Sequence, residues 1–314
     1  YEILIGLVGS EMCIRDRYAD VPAQTGDTEQ SPTPIISIEN LDNYIHDNKV
    51  SVKDLYLQIS SMGNEKPDIV EGNDLPDFNP DDEYLQEIKS PIFYAVQKNI
   101  NIQTGQPTIL DFDMQRISQR INIVFNIRTE GNIKREDLAA PIIELSGACG
   151  RFNIADACLD TTRLYRMAHQ VQPDEFTQTG EGTYRCVVHF HTLGVIPSAA
   201  KGHLNGPGIL QVALQVSTPQ LDSSGAPVVD EEGNPVKNSR YIYGAINPYD
   251  ELTAAQLIEV RDGKIYLRYS KEDVNIEITT PLVIKADQIV PNDTGMGWQP
   301  HDPTNPDDDI IIEI

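Results

Sequence analysis

Two histidines one residue apart, His189 and His191 in "HFH", are the first place where residue type and spacing suggest chemistry. On a strand, residues i and i+2 share a face. Both imidazoles could therefore grip one metal ion, with His203 folding back as a third ligand. A zinc centre draws on several His, Cys or carboxylate ligands, and no carboxylate stands at a suggestive offset. The alternative places both histidines on the solvent face of a strand whose other face carries Cys186, Val188 and Phe190. The expectation is no metal site. "DPTNPDDD" (302–309) has the oxygen density of a calcium loop. It lacks the turn glycine and closing glutamate of a helix–loop–helix calcium site, so it reads as an acidic linker. Tyr241, Tyr243, Tyr249 and Trp298 could form a glycan platform, although Tyr is also a common strand residue. Cys149 and Cys158 lie nine residues apart and could bridge in an oxidising compartment; buried free thiols are the other reading. Cys186 would be left over.

Catalysis finds no purchase elsewhere. There is no phosphate-cradling glycine loop, no nucleophile elbow and no metalloprotease helix. No catalytic residue, cofactor or metal is expected. The formal net charge is −24, and a chain so acidic repels phosphate backbones, which argues against nucleic acid as a partner. No apolar run approaches the roughly 20 residues of a membrane-spanning helix.

The elements that must position these residues follow period two. In "RINIVFNI", Ile121, Ile123, Phe125 and Ile127 share one face, and Asn122 and Asn126 the other. In "ILQVALQVS", Leu210, Val212, Leu214 and Val216 oppose Gln211 and Gln215. "VNIEIT" sets Val274, Ile276 and Ile278 against Asn275 and Glu277. Such alternation marks half-buried strands, and turn signals such as "TEGN", "TGEGT" and "DEEGNP" separate them. Helical periodicity is confined to 250–260, with Thr253 as its cap, and to 134–140. The fold class predicted is all-β, of sandwich type. A stretch rich in Gly, Pro and small residues suggests a boundary near residue 195. The expected organisation is a leader over 1–18, a flexible tether running into a first strand over 19–49, an N-terminal sandwich over 50–194 and a C-terminal sandwich over 195–314.

The leader, "YEILIGLVGSEMCIRDRY", does not fit a signal peptide. Its basic residues follow the apolar run instead of preceding it, and Glu11 and Met12 occupy the positions before Cys13 where a lipobox has small residues. It resembles translated sequencing-adapter read-through and is expected to have no fold partner.

The order of segments carries a second resemblance. "SPIFYAVQKNINI", then "TILDFDMQRISQRINIVFNI", and later "GKIYLRYSKEDVNIEITTPLVIKADQI", "GMGW" and "DDDIIIEI" together resemble the fimbrillin-like surface proteins of Bacteroidota, subunits of type V pili. The resemblance covers most of 50–314. It implies two tandem β-sandwiches of transthyretin-like topology and a fimbrial subunit, or an anchor or accessory protein, supporting cell adhesion. It further implies a lipid anchor to the outer membrane, upstream of this sequence, and assembly by strand exchange with other fimbrial subunits or with itself. Ile310, Ile311, Ile312, Glu313 and Ile314 are the candidate donor strand, since Ile310, Ile312 and Ile314 alternate on one face; completing its own sandwich is the other use of that strand. Arg-specific processing of an N-terminal strand fits poorly, because no Arg occurs between Arg17 and Arg116. The rival reading is a non-polymerising surface lipoprotein that binds glycan or host protein.

Overall fold

The computed structural model describes residues 8–9, 35–44, 51–63, 67, 83–96, 109, 111–131, 133–199, 201–268, 273–286, 288–292 and 296–301. The strands run in chain order as β1 (Val8–Gly9), β2 (Ile36–Glu39), β3 (Tyr56–Ile59), β4 (Ile92–Tyr94), β5 (Gln115–Arg116), β6 (Gln119–Glu130), β7 (Ile142–Asn153), β8 (Cys158–Gln170) and β9 (Phe176–Gly180). They continue as β10 (Thr183–Thr192), β11 (Leu210–Pro219), β12 (Lys237–Ile246), β13 (Ile258–Arg261), β14 (Lys264–Leu267), β15 (Val274–Glu277), β16 (Leu282–Lys285), β17 (Gln288–Val290) and β18 (Gln299–Pro300). A short helix, α1 (Tyr249–Ala254), interrupts them. Its N-cap is Pro248, and Thr253 lies inside it instead of capping it. The expected second helix is one 3₁₀ turn at Arg135–Asp137. Among the described residues no helix is long and apolar enough to cross a membrane.

Two large sheets carry the fold. One has the order β17-β16-β6-β10-β9, with β15 also on β6; the other runs β13-β14-β8-β7-β11-β12-β18, with β2 and β3 attached through β7. Strand β6 organises the first sheet. It pairs antiparallel with β10 from Gln119↔Thr192 to Arg128↔Thr183. Its other edge is filled in parallel by β15, at Ile121–Val124, and then by β16, at Ile127–Glu130. The period-two reading of β6 holds: Ile121, Ile123, Phe125 and Ile127 are fully buried. Each such burial is worth about 1.5–3 kcal/mol. Leu210, Val212, Leu214 and Val216 of β11 are equally buried, and these inner faces belong to one hydrophobic cluster. The chain is thus an all-β, sandwich-like fold.

Two expectations need correction. The boundary near residue 195 does not separate two hydrogen-bonded units. Strands β15 and β16 complete the sheet of β6, β11 pairs with β7 through Leu210↔Leu145 to Ala213↔Ile142, and one core spans both halves. The leader is also not without a partner. β1 pairs antiparallel with β4, Val8↔Phe93 and Gly9↔Ile92, in a small β1-β4-β5 sheet.

Candidate functional site

The outer face of the larger sheet carries a buried polar network. Glu144 on β7 lies opposite Ala168 of β8 and Gln211 of β11. A strap, Glu83–Leu85, runs alongside β8, bridged in parallel at Tyr84↔Arg166: Arg166 N donates to Glu83 O (2.8 Å) and Leu85 N to Arg166 O (2.9 Å). The strap delivers Tyr84, whose hydroxyl donates to Glu144 Oε1 (2.7 Å). Arg166 Nη1 reaches Glu144 Oε2 (3.4 Å) and donates to Gln211 Oε1. The Gln211 amide in turn lies 3.2 Å from His301 Nε2. The Arg166 and Glu144 side chains are 5% and 0% exposed. The carboxylate is bound by a hydroxyl on one oxygen and a guanidinium on the other, away from solvent. Its chemistry is a desolvated ion pair that fastens the strap to the sheet. The sequence hint was Glu144 itself, a lone charge inside the apolar run "PIIELSGA".

The histidines separate. His189 and His191 share a face of β10, yet different partners claim them. His189 Nδ1 pairs with Asn122 Oδ1 (2.6 Å), and its Nε2 lies 3.4 Å from Glu175. Glu175 also accepts from His169 Nε2 (2.9 Å) and from Gln172 N (2.7 Å). Burial opposes ionisation of Glu175. The Gln172 and His169 hydrogen bonds and the two nearby imidazoles nevertheless hold its carboxyl below the ordinary value. Burial pushes the His189 imidazole down, with Glu175 opposing. His191 instead contacts Ile88 O and Ser118 Oγ, while the carbonyl of His203 accepts from Asn247. Among the described residues no group of three or more His, Cys, Asp or Glu is arranged to hold a metal.

Cys149 and Cys158 are not bridged; with Cys186 they are buried free thiols. Register explains this. Cys149 faces Leu164, whereas Cys158 faces Asn153. Four residues of β7 at ~3.3 Å each set the two pairs ~13 Å apart, beyond the ~7 Å that a disulfide spans between Cα atoms. Burial pushes the Cys149 thiol up to about 12, so it is an inert core group.

The aromatic platform also divides. Trp298 is core, 5.1 Å from the Phe125 ring, and its Nε1 donates to Thr280 O. Tyr249 opens α1 beneath Lys201. Only Tyr241 and Tyr243 come together, as a half-buried pair with ring centroids 6.3 Å apart. A cleft lined by Lys201, Asn247, Tyr249, Asp250 and Met296 holds about 60 Å³, well below the ~300–1,000 Å³ of ordinary small-molecule sites.

One surface feature stands out for association. β9 closes one end of its sheet, bonded only to β10 among the described strands. Thr177, Gln178, Thr179 and Gly180 are exposed. "FTQTG" carries no charge and no proline, the devices that usually guard an edge strand against pairing with another chain. The proposed donor residues Ile310, Ile311, Ile312, Glu313 and Ile314, like the acidic run before them, lie outside the described residues.

No protein-family model matches the chain. No curated protein matches it either. Among solved structures it is similar to two described as candidate adhesins from Bacteroides ovatus. The first is 9% identical with a TM-score of 0.39, over 82% of this chain and 72% of the other. The second is 9% identical with a TM-score of 0.38, over 81% of this chain and 66% of the other, so this chain spans just under two thirds of its length.

Proposed function

We propose that this protein is a structural, non-enzymatic component of a bacterial surface fimbria. On this reading it is a subunit, anchor or accessory protein of the type V pilus kind, supporting cell adhesion and held at the outer membrane by a lipid anchor. It assembles with copies of itself or with related subunits by strand exchange, and Ile310–Ile314 is the donated strand. The observation that carries the reading is the edge of β9, which among the described strands pairs only with β10 and can accept a strand from another chain. Three buried Ile side chains would contribute about 1.5–3 kcal/mol each to such a joint. The buried Glu144–Arg166 pair, closed off from solvent, supports a framework role over a catalytic one.

The test is deletion of residues 308–314, followed by light scattering and electron microscopy. The truncated monomer should stay folded and form no polymers. A truncated chain that still polymerises rules out the donor role; a monomer that loses several kcal/mol assigns the strand to its own sandwich. The rival reading, a non-polymerising lipoprotein that captures glycan or host protein, rests on the Tyr241–Tyr243 pair. It would gain if Tyr241→Ala abolished binding on a glycan array while the full chain stayed monomeric.

A further inference from the structure

His191 sits at the centre of a chain of hydrogen bonds. Ile92 N donates to Ser118 Oγ (2.9 Å), Ser118 Oγ lies 2.9 Å from His191 Nε2, and His191 Nδ1 lies 2.8 Å from Ile88 O. The directions are fixed. A backbone carbonyl can only accept, so Nδ1 carries the proton and Nε2 offers its lone pair to the Ser118 hydroxyl. In this neutral form every ring position is used. The ring thereby ties both ends of 88–92 to β10, and this segment leads into β4. Strand β4 in turn carries β1 and β5.

A second proton on His191 breaks the pattern. Nε2 becomes a donor, and Ser118 must give up its own donation. The new charge forms beside Ile88 and Ser118, both 2% exposed. The charged groups acting on the ring are Arg116 of β5, Arg120 of β6 and Asp273 just before β15. Asp273 is already shared between the two arginines, at 3.7 and 3.9 Å. Among the described residues, two guanidiniums thus face the ring against one carboxylate before the imidazole takes its proton. His189, two residues along, faces Glu175 instead.

We propose that His191 is an acid-sensitive latch: its neutral ring clamps residues 88–92 onto β10, and protonation frees that segment together with the β1-β4-β5 sheet. Imidazole is the side chain suited to switching in mildly acidic surroundings. Burial pushes its protonation down from the ordinary imidazole value, with the two arginines adding and the Ile88 hydrogen bond and Asp273 opposing, which sets the release on the acid side.

Amide hydrogen exchange tests the latch. The Ile92 and Ile117 amides report on it, the second because it donates to Ile92 O. Wild-type protection factors should fall about tenfold or more between about pH 7.5 and about pH 5, whereas His191→Asn should change less than about twofold. His189→Asn should keep the wild-type response. Constant wild-type protection overturns the proposal, and so does a His191→Asn chain with the wild-type pH response. Should that variant fail to fold, NMR titration of the wild-type ring decides. Its midpoint must coincide with opening at Ile92, and a ring that titrates with no change in Ile92 protection overturns the latch.

Discussion

Replacing Arg166 by Met should destabilise this protein by about 4 kcal/mol, within the ~3–5 kcal/mol cost of removing one partner from a buried ion pair. Methionine fills much of the arginine stem's volume and keeps β8 intact. The guanidinium is lost from a site where Glu144 is 0% exposed and Arg166 only 5%. Glu144 keeps the Tyr84 hydroxyl but loses its cation, and Gln211 Oε1 loses a donor. A buried acceptor left in that state costs ~1–3 kcal/mol by itself. Urea unfolding followed through Trp298, the sole tryptophan, reads the loss directly. With a slope near 3 kcal/mol per molar, the midpoint should drop by about 1.3 M. Adding Glu144→Gln to Arg166→Met removes the stranded charge, so the double variant should recover about 2 kcal/mol relative to Arg166→Met alone, within the usual range of coupling energies. A single variant within about 1 kcal/mol of wild type, or a double variant whose loss is the sum of the two singles, would refute the buried-pair account.

Three further outcomes follow from the same structure. Phe125→Ala, fully buried against Trp298, should cost about 3–5 kcal/mol in chemical unfolding; a near-neutral result would place β6 in the wrong register. Gly147→Ala should cost several kcal/mol, more than the ~1–3 kcal/mol of a strained backbone position alone: its φ is +82°, and an added Cβ would lie 2.6 Å from Gly208 N. Equal stability of that variant would contradict the close approach of β7 to the 196–208 loop. Acid should weaken the fold in two windows. Burial pushes the imidazoles of His189 and His191 down, so the unfolded chain binds their protons first and stability falls as pH drops below ~6.5. Glu175 and Asp137 are held below their ordinary values despite burial, so their contribution is complete above ~4.5 and is lost as pH falls further. A thermal midpoint constant from neutral pH to about pH 5 would contradict the first window.

The period-two strands were legible because alternation is a local signal. Ile121, Ile123 and Phe125 announce their face without knowledge of any partner, and β6, β11 and β15 form where the pattern placed them. Partner choice was not legible. β15 and β16 reach β6 across some 150 residues, and no local pattern encodes a parallel pairing so distant. The same blindness produced the boundary at 195, a composition shift inside one core. The partners of the histidines were hidden for a related reason. Shared facing was read correctly for His189 and His191, but Asn122, Ser118 and Glu175 come from elsewhere in the chain and draw the two rings apart. Glu144 could have been flagged as a charge in an apolar run. Its partner Arg166 and the strap bearing Tyr84 emerge only from the fold.

The most direct test of assembly by strand exchange is the double substitution Thr177→Lys/Thr179→Lys on β9. Both positions are exposed, so monomer stability should stay within ~0.5 kcal/mol of wild type. Two lysines on an open edge are a natural block to strand addition. Light scattering of the full chain at matched concentration should then show polymers for wild type and monomers for the variant. A variant that polymerises as wild type does would contradict assembly at the β9 edge.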